Sequence, residues 1–105
     1  MSKIEMRGGI MAEPFPGRVG EDVYIRYAGL LAQSGADKMY LHLGYGDQWN
    51  DVNDYEMKHS DQGWETRVKI TRAGPLNFCF KDRADNWDNN NGHNWTYQID
   101  PNRFR

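Results

Sequence analysis

The sequence predicts an all-β protein, an antiparallel β-sandwich of immunoglobulin-like kind. Apolar and polar residues alternate with a period of two in several short segments, which is the period of a strand with one buried face. The segments between them are rich in Gly, Asn, Asp and Pro, the residues that favour turns. No convincing amphipathic helix is present. Six or seven short strands within 105 residues are typical of a single sandwich domain.

The strands are predicted where this alternation is clearest. They are DVYIRY (22–27), KMYLHLG (38–44), WETRVKI (64–70), LNFCFKD (76–82) and WTYQI (95–99). The shorter YEMK (55–58) predicts an edge strand, and YAGLLAQSGA (27–36) holds at most a helical turn or two. GYGDQWNDVND (44–54) predicts a loop, because its Gly, Asn and Asp residues disfavour strands.

The inward positions of these strands supply a predicted core. It comprises Val23, Ile25, Leu41, Leu43, Val68, Ile70, Leu76, Phe78, Phe80, Tyr97 and Ile99. Trp64 and Trp95 lie in phase with the same faces and are predicted to belong to the core or its rim.

The chain is predicted to form one domain. Residues 1–18, in which Met, Gly and Pro are frequent, predict an N-terminal arm or an irregular first strand, and 19–105 predict the sandwich module. Neither an internal repeat nor a linker interrupts the sequence.

Charge and cysteine content exclude several classes of protein. The net charge of −2 does not provide the basic surface that nucleic-acid binding needs. The single cysteine, Cys79, excludes an internal disulfide and is predicted to be a small buried residue in a strand.

We predict no cofactor and no membrane partner. Because the sequence has no secretory signal, we expect a cytoplasmic protein as written, or an extracellular one if the chain is an excised module.

Two tryptophans do not fit the strand pattern. Trp49 and Trp87 lie in the polar segments GYGDQWND and RADNWDNNNG. One possibility is that each ring closes one end of the sandwich. The other is that the rings form a half-exposed surface for a ligand with apolar faces. Pyranose rings are such ligands, since their C–H groups pack on indole and their hydroxyls hydrogen-bond at the edge.

Polar side chains near Trp87 match the needs of a sugar hydroxyl. Asp88, Asn89, Asn90 and Asn91 follow it directly and can donate or accept hydrogen bonds. His42 lies on the polar side of its strand with Tyr40, and it is predicted to join this group if the strand ends beside that loop.

An ordered set of segments resembles a known family. VYIRYAGLL, YLHLGYGDQW, GWETRVKI, LNFCFKD and WDNNNGHNW are similar to the starch-binding carbohydrate-binding module family 25, with relatives in family 53. The resemblance runs from about residue 17 to residue 99. It implies an antiparallel sandwich that binds α-1,4-linked glucans without catalysis.

The resemblance also implies a binding site made by His42, Trp49 and Trp87, with hydrogen bonds from Asn89, Asn90 and Asn91. Two indoles set at an angle would follow the bend of an α-glucan, whereas a coplanar pair would suit flat cellulose. Modules of this family usually accompany secreted amylases. A form without a signal is expected to meet glycogen or maltooligosaccharides, or to recruit a separate glucan-active enzyme.

Three alternatives stay open at this point. A glycosidase would need two carboxyls about 5 Å, or about 6.5 to 9.5 Å, apart; the candidates are Asp47, Asp51, Asp54, Asp82, Asp85 and Asp88. A structural calcium could use the 1, 3, 5 spacing of Asn86, Asp88 and Asn90, although Gly92 is one place late and Tyr97 stands where Glu is required. The same aromatic loops could instead bind a protein partner. The spacing of His42, His59 and His93 predicts no zinc site.

Overall fold

The computed structural model describes residues 2–100, which form two antiparallel sheets packed face to face. The strands are β1 (Ile4–Met6), β2 (Ile10–Glu13), β3 (Asp22–Tyr27), β4 (Met39–Tyr45), β5 (Asn50–Glu56), β6 (Lys58–Ser60), β7 (Gly63–Lys69), β8 (Leu76–Asp82), β9 (Trp87–Asp88) and β10 (Trp95–Tyr97). One helical turn, α1 (Leu30–Gln33), follows β3. The predicted all-β sandwich is confirmed.

The order of the strands decides which residues can meet. The first sheet has the order β1-β2-β3-β7-β6. The second has the order β10-β8-β4-β5, and the two-residue strand β9 pairs with β8 beyond the end of β10. β4 therefore lies inside the second sheet, with β5 as its outer neighbour on one side and β8 on the other. The chain crosses between the sheets at Met57, whose side chain is buried.

The predicted core is confirmed residue by residue. Every one of the eleven aliphatic and aromatic residues expected to point inward is buried, and Trp64 and Trp95 are buried with them. Phe78 and Phe80 of β8 contact the Trp95 ring at centroid distances of 6.3 and 5.4 Å. Alternation with a period of two identified these residues because both sheets bury only one face.

Most strand predictions are confirmed and one loop prediction is wrong. The predicted edge strand 55–58 is divided between the end of β5 and the start of β6, and the predicted strand 95–99 ends at Tyr97. β3 and β8 have the predicted bounds, and β4 and β7 are displaced by one residue. Residues 50–54, predicted as loop, form most of β5. Nearly all of β5 is exposed. An edge strand gains its backbone hydrogen bonds from one neighbour, and because few of its side chains are buried, no alternation in the sequence predicted this strand.

The N-terminal residues belong to the first sheet. β1 and β2 form a hairpin that pairs with β3, and Ile10, Met11 and Ala12 are buried. The predicted division of the chain at residue 18 stays a prediction. Residue 1 of the predicted arm and residues 101–105 of the predicted module lie outside the described part. Within 2–100, no helix is long and apolar enough to cross a membrane.

Candidate functional site

The candidate site lies on the outer face of the second sheet. Because side chains alternate along a strand, Leu41 and Leu43 of β4 point into the core and His42 between them points outward. The register places Asp54 of β5 on one side of His42 and Cys79 of β8 on the other. Both tryptophans that lay outside the predicted alternation reach this face.

His42 is held by a carboxylate across the strand pair. Its Nδ1 atom lies 2.5 Å from Oδ1 of Asp54, and the two side chains are 27% and 43% exposed. A residue pair directly opposite in an antiparallel ladder has closely spaced Cβ atoms, which lets a short carboxylate reach the imidazole. The Asp54 bond therefore restrains the orientation of the imidazole ring.

Trp49 is the last residue of the turn between β4 and β5. Its φ is 52°, in the left-handed region that bulky residues rarely adopt. The residue lies against Gly44 of β4: a Cβ atom at Gly44 would be 2.9 Å from Cε3 and 3.0 Å from Cα of Trp49. Gly44 thus leaves the space that Trp49 occupies. The indole stacks beside His42, with ring centroids 5.6 Å apart and planes inclined by 30°.

Trp87 approaches His42 from the other side. It is the first residue of β9 and pairs with Lys81 of β8, which places its side chain on the outer face. The residue is 48% exposed, and its ring meets His42 at a centroid distance of 5.2 Å and an interplanar angle of 88°. Lys81 Nζ lies 5.4 Å from the Trp87 centroid and 3.1 Å from Asp85 Oδ1. A cation over one indole face restrains the ring.

The structure thus brings together the three predicted aromatic residues His42, Trp49 and Trp87, here called the aromatic cluster. The Trp87 plane is inclined by 88° to the imidazole and the Trp49 plane by only 30°, so the two indole planes are inclined to each other by at least 58°. A coplanar arrangement of the indoles is excluded. The cluster forms an angled surface with an imidazole between two indoles.

The three predicted asparagines lie in the loop between β9 and β10. Asn89 accepts hydrogen bonds from the Gly92 N–H, and Asn90 Nδ2 donates to the Asn94 carbonyl at 3.0 Å. Asn90 and Asn91 both have positive φ, which asparagine tolerates better than most residues. Within residues 2–100, the side chain of Asn91 makes no hydrogen bond, whereas those of Asn89 and Asn90 stabilise their own loop.

Asp88 does not belong with these amides. It pairs with Phe80 on the inner face and is 7% exposed, and its Oδ2 accepts a hydrogen bond of 2.5 Å from the Tyr27 hydroxyl. Burial and the Asp88 carboxyl together raise the pKa of Tyr27 well above its ordinary range, so this hydroxyl stays a donor. The inclusion of Asp88 among the sugar-facing groups was wrong, because alternation in β9 turns it away from Trp87.

Cys79 forms part of the floor of the site. Its side chain is buried, as predicted, but on the outer face of β8 directly beside His42 rather than in the core between the sheets. Burial, with smaller contributions from Asp54 and Asp88, raises the pKa of the thiol to about 11. The group is therefore a neutral, poorly nucleophilic thiol at physiological pH.

The calcium spacing seen in the sequence is not realised as a cluster. Asn86 Nδ2 donates to Asp82, Asp88 turns inward to Tyr27, and Asn90 bonds to its own loop. In the described part of the chain, no group of three or more His, Cys, Asp or Glu side chains is arranged to hold a metal ion.

A concave surface lies on the outer face of the first sheet. It encloses about 600 Å³ and is bordered by Tyr24, Glu65 and Arg67 among others. The Arg67 guanidinium lies over the Tyr24 ring at 5.1 Å, and the Tyr24 hydroxyl donates to Glu65. Since the Arg67 guanidinium already covers its aromatic ring, this surface is less suited to ring stacking than the aromatic cluster.

Sequence reasoning did not assign three residues that shape the site: Asp54, Gly44 and Lys81. Asp54 was considered only as a candidate glycosidase carboxylate. Alternation had already identified the outward positions of the strands that contain Lys81 and Gly44. It could therefore have placed both residues on the outer face of the sheet. Asp54 could not be placed in this way, since β5 was predicted as loop. Its role depends on the register of β4 and β5.

The fold is a small β-sandwich that carries the aromatic cluster on the outer face of one sheet. A family model described as starch/carbohydrate-binding module (family 53) matches residues 23–78, more than half of the chain. The protein therefore belongs to this family of carbohydrate-binding modules. The matched range includes His42 and Trp49 and ends before Trp87. No curated protein and no solved structure shows a significant match. The resemblance to family 25 stays a prediction.

Proposed function

We propose that the protein binds α-1,4-linked glucans without catalysing a reaction, and that the aromatic cluster is its binding site. Trp49 and Trp87 provide stacking surfaces for two sugar rings, and His42 between them hydrogen-bonds a hydroxyl. The amides of Asn89, Asn90 and Asn91, in the loop that follows β9, contribute further hydrogen bonds to the ligand.

The inclination of the two indoles is the observation that carries this proposal. Sugar rings in an α-1,4-glucan turn relative to one another along the chain, whereas those of cellulose form a flat ribbon. Indole planes at least 58° apart suit the first shape and oppose the second. Trp87 is 48% exposed, so about half of its surface is accessible to a ligand.

The contacts of the six candidate carboxylates favour a non-catalytic role over hydrolysis. Glycosidases need one carboxyl as acid and another as nucleophile or base, both facing the scissile bond. Here five of the six candidate carboxylates contact protein groups. The contacts are Asp51 with Arg72, Asp54 with His42, Asp82 with the N–H groups of Ala84 and Asn86, Asp85 with Lys81, and Asp88 with Tyr27.

A starch pull-down tests the proposal directly. We expect the protein to sediment with insoluble starch, to be released by maltooligosaccharides, and to remain in the supernatant with cellulose. Each stacked ring contributes about 1 to 3 kcal/mol by analogy with bases on aromatic side chains. Trp49→Ala or Trp87→Ala should therefore weaken binding by roughly 5- to 150-fold. The dissociation constant of such an open site is expected on the order of micromolar to millimolar.

Tyr24→Ala is the matched control, since Tyr24 is an aromatic residue on the outer face of the other sheet. It should leave starch binding unchanged. A wild-type protein that stays in the supernatant with starch contradicts the proposal and favours the alternative of a protein-binding surface. Release of reducing sugar from starch would contradict the non-catalytic assignment. Recruitment of a separate glucan-active enzyme is a further proposal, which co-sedimentation of that enzyme with the starch-bound module would test.

A further inference from the structure

Asp54 and His42 form a pair whose geometry restricts the chemistry of the site. They lie directly opposite each other on β5 and β4, and the Asp54 Oδ1 atom is 2.5 Å from His42 Nδ1. A carboxylate can only accept a hydrogen bond, so Nδ1 must carry the proton in this pair. In the neutral ring, the other nitrogen, Nε2, then has a lone pair and no proton.

In this tautomer, Nε2 of His42 can accept a hydrogen bond from a ligand. The imidazole stands between Trp49 and Trp87, with centroids 5.6 and 5.2 Å away. Nδ1 is occupied by Asp54, and Nε2 makes no hydrogen bond within residues 2–100, so Nε2 is the polar atom of His42 that is left to bind a ligand. A ligand group that donates a hydrogen bond is accepted there, and a group that only accepts is not.

We propose that Asp54 is a positioning residue that fixes His42 as a hydrogen-bond acceptor, so that the site selects ligands presenting a hydroxyl donor between the two indoles. This inference rests on the proposed function and names a specificity-determining residue for it. Asp54 acts through His42 and need not touch the carbohydrate itself.

If Asp54 had a purely structural role, its substitution would lower the stability of the fold, which is not the outcome expected here. The residue lies on an exposed edge strand and its side chain is 43% exposed. Ion pairs at such positions contribute little to stability. Asp54→Asn should therefore fold as well as the wild type. The amide offers a donor as well as an acceptor to Nδ1, so it no longer dictates which imidazole nitrogen is protonated.

The first measurement is the tautomer of His42 in the free protein, by long-range ¹H–¹⁵N correlation NMR at pH 8. Wild type should show protonated Nδ1 and unprotonated Nε2. Asp54→Asn should show a mixture or the opposite tautomer. Glu56→Gln is the matched control: Glu56 lies two residues along the same face of β5, opposite Tyr40 and paired with Lys38. It should leave the His42 spectrum unchanged.

The second measurement is maltooligosaccharide affinity by titration calorimetry. Loss of one oriented hydrogen bond should weaken binding by roughly 3- to 10-fold in Asp54→Asn, whereas Glu56→Gln should leave it unchanged. In a His42→Ala background, Asp54→Asn should cause no further loss, because an effect transmitted through His42 is not additive with its removal.

Each outcome has a defined meaning. If the wild type binds maltooligosaccharide and Asp54→Asn changes neither the His42 tautomer nor the affinity, the inference is overturned and the proposed function stays intact. A wild-type ring protonated on Nε2, or on both nitrogens, also overturns it. An additional loss in the His42→Ala background shows that Asp54 contacts the ligand itself, which contradicts a positioning role. If wild type binds no maltooligosaccharide, the proposed function fails and the specificity role falls with it, whatever the tautomer.

Discussion

The hydroxyl of Tyr27, at the end of β3, donates a hydrogen bond of 2.5 Å to Oδ2 of Asp88 in β9. This bond joins the two sheets behind the site, because Trp87 and Asp88 are consecutive residues that point to opposite faces. The Tyr27 hydroxyl also accepts the N–H of Leu31 at the start of α1, at 3.0 Å. The short strand that presents Trp87 is thus held from beneath by a buried polar contact.

Removal of the Tyr27 hydroxyl should destabilise the fold. In Tyr27→Phe, the Asp88 carboxyl and the Leu31 N–H both lose a partner in a buried position, and an unsatisfied buried group costs about 1 to 3 kcal/mol. Chemical denaturation should show a loss in this range. Tyr55→Phe is the control, since the half-buried Tyr55 hydroxyl makes no hydrogen bond within residues 2–100, and its stability should change by less than about 0.5 kcal/mol. Equal effects of the two substitutions would contradict the proposed anchoring of β9.

Trp49 should be replaced more favourably by glycine than by alanine. Its φ of 52° is accessible to glycine without steric cost, whereas alanine at positive φ is strained by about 1 kcal/mol. Both variants lose the same indole contacts, so the difference between them reports the backbone alone. We expect Trp49→Gly to unfold at higher denaturant concentration than Trp49→Ala, with glucan binding lost in both. The reverse order of stability would show that the turn relaxes out of the left-handed region.

A side chain at position 44 should disturb the site from the strand beneath it. The Cβ atom of Gly44→Ala would lie 2.9 Å from Trp49 Cε3, closer than van der Waals contact allows. Overpacking of this kind costs about 1 to 3 kcal/mol, and displacement of the indole should also weaken glucan binding. Combination with Trp49→Gly should recover part of the lost stability, because the indole and Cβ that the new methyl meets are gone. A fully additive double variant would contradict this account.

The buried thiol of Cys79 should make stability depend on alkaline pH. The pKa of the folded thiol is raised from 9.0 to about 11, so the unfolded state ionises first as the pH rises. The contribution of the neutral thiol is fully present below pH 9 and is lost between about pH 9 and 11. Wild type should therefore lose stability relative to Cys79→Ala over this range, measured by denaturation at several pH values.

Thiol-reactive reagents give an independent measurement of the same group. In folded protein at pH 8, Cys79 should react far more slowly than in denaturant, because burial both raises its pKa and limits access. Rapid labelling of the folded protein would show that the floor of the site opens. An excess of maltooligosaccharide should slow the labelling further if the ligand covers His42 and its neighbours.

Alternation along the chain was sufficient to predict the two-sheet fold and its core. Val23, Leu41 and Phe78 are inward residues on three different strands, and each was identified because one buried face per strand imposes a period of two. The same reasoning set Trp49 and Trp87 apart, since neither fitted that period. The same reasoning did not predict β5, because an exposed edge strand rich in Asn and Asp shows no alternation of apolar and polar residues.

The sequence by itself determined the sandwich, its core and the aromatic residues that stand outside it, because these follow from local alternation and composition. Tertiary structure decided which side chains meet. The contact of His42 with Asp54, the space that Gly44 leaves for Trp49, and the inward turn of Asp88 all depend on cross-strand register. Register joins residues distant in the chain through backbone pairing, and no local pattern of side chains records that pairing for an edge strand or a two-residue strand.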